Sequence, residues 1–270
     1  MIQALLDHEA SVRLAIFGIV FATMAAWEVA APRRPQHVAR GKRWPSNLAV
    51  AALDALLVRV VVPIGAVALA MLAETKGWGL LTMWAAPAWL AIPVAMIVLD
   101  LAIYLQHVLF HAVPALWRLH RMHHADLEFD VTTGARFHPV EILLSMAIKL
   151  AVVAGLGAPP AAVFLFEVLL NATAMFNHSN IGLPTPVDRG LRWLVVTPDM
   201  HRVHHSIDGR ETNSNFGFNL PWWDWLFGTY RDQPARGHDG MMIGVAGIRD
   251  PCEQRLDHML TQPFRKADPS

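Results

Sequence analysis

The sequence predicts an all-α integral membrane protein, a helical bundle of four to five membrane segments with a histidine-rich helical cap on the cytoplasmic side. Composition is the first reason, because 54% of the 270 residues are hydrophobic and 16% are charged, whereas soluble domains carry about 25% charged residues. The second is a series of long apolar runs before the polar C-terminal part. The third is a set of histidine clusters at helical spacing near the ends of those runs.

The N-terminal part, residues 1–94, is predicted to contain membrane spans and a basic cytoplasmic loop. A transmembrane helix needs about 20 mostly apolar residues. Runs of this length occupy residues 12–31, 48–73 and 81–105. The second run contains Asp54 and Arg59, which are costly in lipid unless they pair with each other or face the histidine region. The first run lacks a basic flank and a small-residue cleavage site, so we expect it to be retained.

The central part, residues 95–232, is predicted to carry the functional site. Two apolar segments, 140–157 and 161–176, flank a glycine- and proline-containing turn. Each is short for a full span, so they form either a membrane hairpin or a partly buried re-entrant pair. The chain after the hairpin is polar enough to form the cap, and residues 233–270 are predicted to be a polar C-terminal tail.

The distribution of basic residues predicts the orientation. Arginines and lysines concentrate between residues 33 and 43, and such loops stay in the cytoplasm. The N-terminus is therefore expected outside, and counting the spans forward brings every histidine cluster to the cytoplasmic side. The formal net charge is zero, so bulk charge gives no reason to expect a nucleic-acid partner. A lone cysteine, Cys252, excludes a disulfide framework and a cysteine-ligated iron–sulfur cluster within this chain.

Three histidine clusters carry the functional signal, one H-x-x-x-H followed by two H-x-x-H-H. Their members are His107 and His111, then His120, His123 and His124, then His201, His204 and His205. Residues three and four apart share one face of a helix, so each cluster is expected to aim all its imidazoles at one point. Neutral imidazole suits iron, copper, nickel and zinc. Eight such ligands are too many for one ion and predict a site for two.

Residues around the clusters are expected to extend the site. His178, which follows the hairpin, is predicted to be a ninth ligand, and His138 is open between a ligand, a support for a ligand and a substrate contact. Asp100 shares a helix face with His107 and is predicted to accept a hydrogen bond from a metal-bound histidine. The same supporting role is expected of Asp199, Asn213 and Asn215. The other histidines, His8, His37, His238 and His258, are expected at the surface.

Two further sets of residues have more than one interpretation. The arginines between the ligands, Arg118, Arg121 and Arg202, form either a solvated basic face or one that attracts lipid headgroups or an acidic electron donor. The tryptophans after the last cluster, Trp222, Trp223 and Trp225, anchor the cap at the membrane interface, line a path for lipid or pack inside the cap.

The arrangement of the three clusters resembles the fatty acid hydroxylase/sterol desaturase superfamily. The stretches R-F-H-P-V-E at 136–141, N-H-S-N at 177–180, N-F-G at 215–217 and W-D-W-L-F-G-T-Y at 223–230 share this resemblance. It covers about residues 95–232 and implies a catalytic domain with a non-haem centre of two iron ions, which zinc can replace in isolated protein. Such a centre activates O₂ and hydroxylates or desaturates a lipid C–H bond. We expect a separate reductase or ferredoxin-like protein to supply electrons, since the chain shows no flavin, haem or iron–sulfur motif.

Two alternatives do not require O₂. A zinc-dependent membrane hydrolase would use the same imidazoles, although no H-E-x-x-H or G-x-S-x-G motif occurs in the sequence. A metal transporter would need its ligands near the bilayer midplane, whereas these clusters lie at the ends of the spans. Fatty acyl chains, sterols, carotenoids and headgroup-bearing lipids are all compatible with the lipid-oxidising interpretation.

Overall fold

The computed structural model describes residue 6 and residues 8–265, so residues 1–5, 7 and 266–270 of the two predicted terminal parts lie outside the described residues. Over this part the chain is helical, with isolated β-bridges and no β-strand. The α-helices are α1 Glu9–Ala30, α2 Arg40–Val61, α3 Ala66–Lys76, α4 Leu80–Met83, α5 Ala88–Ala112, α6 Pro114–His124, α7 Pro139–Leu156, α8 Pro160–Asn177, α9 Thr185–Leu191, α10 Pro198–His204, α11 Gly209–Thr212, α12 Trp222–Leu226, α13 Gly237–Gly240 and α14 Leu256–Thr261. Short 3₁₀-helices occupy Thr133–Ala135, Pro251–Gln254 and Gln262–Phe264.

The described helices confirm a membrane bundle. Five segments are long and apolar enough to cross a bilayer: α1, the segment Arg40–Met83, α5, α7 and α8. This agrees with the four to five membrane segments expected from the sequence. The chain is therefore an integral membrane protein.

The second and third apolar runs are not single helices, which corrects the simplest interpretation of their length. Helix α2 ends at Val61 and α3 begins at Ala66, because Pro63 has no N–H for a helical hydrogen bond and its ring clashes with the preceding turn. In the third run, α5 begins only at Ala88, with Pro87 as its N-cap in extended conformation. The break separates the short helix α4 from the long helix that carries the first histidines.

The hairpin predicted around residues 157–160 is present, formed by α7 and α8. Gly157 adopts a φ of +66° and reverses the chain, which a residue with a Cβ does only with strain. A Cβ on Gly79 would lie 2.0 Å from the backbone nitrogen of Gly157, so the two turns touch. Around them the core is built from small side chains such as Ala70, Ala95 and Ala162, all fully buried. Small residues allow membrane helices to approach closely.

Charged residues inside the spans pair, but not as predicted. Asp54 is buried and Arg59 is exposed, and the structure gives these two described residues no ion pair with each other. The intramembrane pairs join Glu167 on α8 with Lys149 on α7 at 2.7 Å and with Arg13 on α1 at 2.6 Å. These contacts hold three spans together through groups that would otherwise be costly in lipid.

The N-terminal end of α2 is tied to the loop after α6 by buried polar groups. Arg43 is fully buried and donates to Asp126 at 2.8 and 3.0 Å and also to Asp130. Asn47 donates to the same Asp126 carboxylate at 3.1 Å. Arg136, also fully buried, donates to the side-chain oxygen of Asn47 at 3.0 Å. Each buried charge thus has a partner, as burial requires.

Glu28, near the C-terminal end of α1, makes a second such connection. One carboxylate oxygen accepts the backbone N–H of Val131 at 2.7 Å and that of Asn180 at 2.8 Å. The other oxygen accepts a hydrogen bond from the Arg40 guanidinium at 3.0 Å. Glu28 therefore clamps the first span to two loops that border the histidines.

Replacing Glu28 should destabilise the protein strongly. In Glu28→Ala, two buried N–H groups lose their acceptor, and at about 1–3 kcal/mol for each unsatisfied group the free energy of unfolding should fall by about 3 kcal/mol. Thermal unfolding in detergent measures this. Glu74→Ala, at an exposed glutamate of α3, is the matched control and should unfold like the unaltered protein. Equal unfolding temperatures for the two variants would contradict the clamp.

Residues 233–265 of the predicted tail pack onto the central part. The side-chain amide of Gln254 donates to the Ala125 carbonyl at 2.9 Å, and its oxygen accepts Arg136 at 2.8 Å. Met259 is fully buried against Val50 and Met122. This segment supports the helix that carries the second histidine cluster.

Candidate metal centre

Nine histidines from four regions of the chain converge in two adjacent groups. The first group consists of His107, His111, His120, His124 and His204, and the second of His123, His178, His201 and His205. Within each group, the candidate ligand nitrogens all lie within 4.8 Å of one another. Eight of the nine side chains are buried, and His111 is half-buried. The structure thus brings together all the residues predicted from the clusters, and His178 as well.

The two H-x-x-H-H clusters are each divided between the groups, which corrects the expectation that each cluster points at one place. His120 and His124 belong to the first group and His123 to the second. Helix geometry explains the division, because successive side chains are rotated by about 100° around the helix axis. Relative to residue i, the i+4 side chain is therefore rotated by about 40° in one direction, and the i+3 side chain by about 60° in the opposite direction. The last cluster is divided at the same positions, with the two groups exchanged. His201 and His205 join the second group, and His204 joins the first.

The nitrogens of the second group fit a metal ion and not a hydrogen bond. His178 donates its Nδ1–H to the Ala174 carbonyl at 2.8 Å, and His123 donates its Nδ1–H to the Arg136 carbonyl at 3.1 Å. A neutral imidazole has one N–H, so both Nε2 atoms carry lone pairs, yet they lie 3.1 Å apart. Two imidazole nitrogens bound to one ion at 2.0–2.1 Å lie roughly 2.9–3.3 Å apart. A cation between them removes the repulsion.

The first group is oriented in the same way. His107 and His204 donate their Nδ1–H groups to the carbonyls of Phe216 and Ser214, each at 2.8 Å. His120 donates to the Glu141 carboxylate at 2.6 Å. The Nε2 atoms of these three histidines are buried and have no hydrogen-bond partner in the described part of the chain. Such contacts select the tautomer and fix the ring of a metal ligand.

His124 and His205 join the two groups. Their rings stack with centroids 4.4 Å apart and planes at 18°, although each belongs to a different group. Both nitrogens of both rings are buried without a hydrogen-bond partner among the described residues. Unpaired polar atoms at this depth are costly, and one metal ion in each group would engage one nitrogen of each ring.

Burial also sets the protonation state. The pKa values of His123, His124, His201, His204 and His205 lie well below the usual 6.5, chiefly because burial penalises the charged form. These imidazoles are therefore neutral at physiological pH. Neutral imidazole is the form that binds iron, copper, nickel and zinc.

A loop at 214–217 holds two histidines of the first group through its backbone. Asn215 lies between the two accepting carbonyls with a φ of +52°, a conformation that asparagine tolerates better than most residues. Its side chain donates to the carbonyls of Met200 at 2.9 Å and Arg231 at 2.8 Å. Asp224 accepts the N–H groups of Phe216 and Gly217 at 2.8 Å each. Asn215, which was predicted to support the site, therefore acts by holding the backbone of this loop in place. Asp224 holds the same loop and was not predicted from the sequence.

Of the other predicted supports, Asn213 forms a side-chain hydrogen bond with His111, whereas Asp100 and Asp199 contact no histidine of the two groups in the described part of the chain. Asp100 accepts Asn219 and Trp223, each at 2.7 Å, and its described partners include no ligand histidine. Asp199 pairs with Arg33 at 3.2 Å and with Arg202.

His138 is the N-cap of α7 and lies outside both histidine groups. Its Nδ1 accepts the Val140 N–H and its Nε2–H donates to the Leu260 carbonyl, both at 3.2 Å. Both ring nitrogens are therefore already engaged.

Of the arginines between the histidines, only Arg118 is exposed, so the three do not form one solvated face. Arg202 is fully buried, and the buried Arg121 donates to the carbonyl of Gln262 at 2.6 Å. Arg118 donates to the carbonyl of Pro263 at 2.6 Å. Arg118 and Arg121 attach the C-terminal segment to α6 because their long side chains reach its backbone carbonyls.

Of the histidines expected at the surface, His8 and His37 are exposed and His258 is half-buried. His238 is buried 3.5 Å from Asp199, contrary to expectation. His258 forms a third candidate group with Cys252 and Glu253, but Arg265 already binds both carboxylate oxygens of Glu253.

Glu141 stands out because it holds a ligand histidine through a carboxylate. Removing the acceptor in Glu141→Leu should lower the iron affinity of the first group about 10- to 100-fold, the usual effect of losing such a partner. Glu141→Gln keeps an oxygen acceptor and should lose less. Iron affinity measured against a competing chelator compares the three proteins. Equal affinity of Glu141→Leu and the unaltered protein would contradict this role.

An open cavity of about 320 Å³ borders the first group. His111 and Trp117 form one wall. The rest of its lining consists of Ile207, Gly209, Thr212, Asn213 and the segment 244–247. The first group therefore reaches the exterior at His111, whereas all four histidines of the second are buried.

Comparisons with known proteins agree with this geometry. A family model described as fatty acid hydroxylase matches residues 92–229. An ornithine lipid hydroxylase of Rhizobium tropici is 33% identical over 63% of this chain and 49% of its own length. An alkylglycerol monooxygenase of Xenopus tropicalis is 28% identical over 59% of this chain and 34% of its own length. A Δ7-sterol-C5(6)-desaturase of Nicotiana tabacum is 26% identical over 51% of this chain and 48% of its own length. The chain spans half or less of the length of these relatives. No solved structure matches it.

Proposed function

The chain belongs to the fatty acid hydroxylase family, and from this we propose that it is a membrane-bound, O₂-dependent oxidoreductase that hydroxylates or desaturates a lipid C–H bond. The observation that carries the proposal is the pair of adjacent histidine groups, with unpartnered lone pairs directed inward. Side chains alone provide no oxidant strong enough for an aliphatic C–H bond, so this chemistry calls for a redox metal.

The cofactor we propose is two iron ions, one in each group. The first would be held by His107, His111, His120, His124 and His204, and the second by His123, His178, His201 and His205. The ions supply O₂ activation when bound. Zinc binds imidazole more tightly than iron(II) does, so isolated protein needs iron loading before assay.

The protein's own groups orient the ligands and exclude water. Carbonyls of Ser214, Phe216 and Ala174 fix ligand rings through their Nδ1–H groups, and burial of the second group keeps solvent from the oxidant. The cavity at His111 admits the substrate C–H bond. In hydroxylation, one oxygen atom of O₂ enters that bond and the other leaves as water. An external donor supplies two electrons and two protons. Desaturation consumes the same inputs and releases both oxygen atoms as water.

The partners follow from this balance. The electron donor is a separate reductase or ferredoxin-like protein, and the substrate is a membrane lipid. The names of two relatives contain an ornithine lipid and an alkylglycerol, so headgroup-bearing and glycerol-based lipids rank ahead of sterols as the substrate class. The basic loop at 33–43 supports a cytoplasmic active site and an external N-terminus.

Lipid mass spectrometry tests the proposal. Cells expressing the unaltered protein should contain a lipid that has gained one oxygen atom or lost two hydrogen atoms, and cells expressing His204→Ala should lack it. Labelled O₂ should transfer its label to a hydroxylated product. Purified, iron-loaded protein should turn over only with O₂ and a reductant. Turnover without both would overturn the proposal in favour of a hydrolase.

A further inference from the structure

Part of the cap carries an exposed apolar surface, defined here as the cap surface, formed by residues 193–194 and 222–227. Trp193, Leu194 and Leu226 are 67%, 66% and 69% exposed, and Phe227 is 51% exposed. Trp222 donates its indole N–H to the Trp193 carbonyl at 2.8 Å, and the rings of Trp193 and Trp225 lie 4.8 Å apart. These contacts make the surface continuous. Contiguous exposed apolar groups mark an interaction site.

The polar groups beneath the cap surface are satisfied within the protein. Residues 216–229 contain a single charged residue, Asp224, which is fully buried and accepts two backbone N–H groups and the Thr229 hydroxyl. The Trp223 indole donates to Asp100 at 2.7 Å. A segment in hydrocarbon must satisfy its polar groups internally, and this one meets that requirement.

The depth of the segment follows from its contacts with α5. Trp223 binds Asp100, the middle residue of this 25-residue helix. About 20 residues fill the hydrocarbon core. At 1.5 Å per residue, Asp100 therefore lies at least about 10 Å inside the hydrocarbon wherever α5 is placed along the membrane normal. Phe227 stacks on Tyr104, one turn further along α5, with centroids 5.4 Å apart.

The other spans and an exposed stripe of α5 agree with this depth. Thr173, four residues before the end of α8, contacts the side chain of Asn219, and Asn177 donates to the Phe218 carbonyl at 2.8 Å. Elsewhere on the surface of α5, Ile97, Leu105 and Leu109 are exposed apolar side chains at spacings of eight and four residues and form a lipid-facing stripe.

We infer that the cap surface is embedded in the acyl-chain region of the leaflet on the histidine side and does not face water. The occupant that covers it is the hydrocarbon of bilayer phospholipids. The inference goes beyond the proposed activity and is independent of the metal ions, because it rests on exposure, charge and depth alone. It places lipid chains beside the loop that orients His107 and His204.

Spin labels on single cysteines test the inference. In a Cys252→Ser background, a nitroxide is attached to Leu226→Cys or Leu194→Cys, and the protein is placed in phosphatidylcholine–phosphatidylglycerol vesicles. Collision rates with O₂, which concentrates in hydrocarbon, and with a water-soluble nickel chelate then report depth. Leu105→Cys, on the lipid-facing stripe, is the hydrocarbon control. Arg255→Cys, at a side chain that is 68% exposed, is the aqueous control.

We expect the ratio of O₂ to nickel collisions at 226 and 194 to match that at 105 and to exceed that at 255 several-fold. A ratio at both positions equal to that at 255 would overturn the inference. Because both labels are at exposed positions, neither substitution disturbs the core. Iron content and turnover do not enter the measurement, so failure here is distinct from failure of the proposed function.

Discussion

Replacing His204 and His205 one at a time should remove different iron ions, although the residues are consecutive in the chain. His204 belongs to the first group and His205 to the second. Each variant should therefore keep at most one ion. Turnover should fall on the order of a thousandfold or more in both, because groups that act as a unit fail together when one is lost.

Iron analysis and Mössbauer spectroscopy separate the two variants. The ion left in His204→Ala has the histidines of the second group, and the ion left in His205→Ala has those of the first, so their spectra should differ. His258→Ala, at a half-buried histidine outside both groups, should retain two ions and full turnover. Identical spectra for the two ligand variants would refute the division into groups.

Removing the Asp224 carboxylate should weaken the first iron site while the second stays filled. Asp224→Ala leaves the Phe216 and Gly217 N–H groups and the Thr229 hydroxyl without their acceptor. The loop then no longer fixes the carbonyls that orient His107 and His204. Loss of such an indirect support typically costs about 10- to 100-fold in metal affinity, and here two ligands of one ion are affected.

A chelator titration followed by spectroscopy distinguishes a positioning role from a general loss of structure. If Asp224 positions the first group, that ion should leave at lower chelator concentration and the second should remain. Asp224→Asn keeps one acceptor oxygen and should give an intermediate result. Asp232→Ala, at an exposed carboxylate, should behave like the unaltered protein. Simultaneous loss of both ions from Asp224→Ala would contradict the positioning role.

The sequence allowed much of the architecture to be predicted, because its signals are local. Apolar runs of span length predicted the membrane helices, and the prolines and glycines near residue 157 predicted the hairpin. Eight of the nine histidines were predicted from their spacing, and His178 was predicted from its position after the hairpin. The division of each cluster follows from the helical angle between the i+3 and i+4 side chains, so applying that angle to the clusters would have predicted it.

The supports of the ligands could not be predicted in the same way, because their partners come from distant parts of the chain. Asp100 was expected to support His107 because both lie on one helix face, yet Trp223 and Asn219 occupy its carboxylate. Asp224 supports the ligands through two backbone N–H groups, which leave no pattern in the side chains. Arg202 was expected on an exposed basic face, yet it is fully buried and pairs with Asp199.

The interleaving of the two groups has a consequence for how the centre fills. His123 and His124 are consecutive residues that belong to different groups, and so are His204 and His205. An ion bound in one group orders the peptide that carries ligands of the other, so part of the ordering entropy of the second site is already lost when its ion arrives. Iron uptake should therefore be positively cooperative. In the unaltered protein, half-loaded chains should then be less abundant than two independent sites would give.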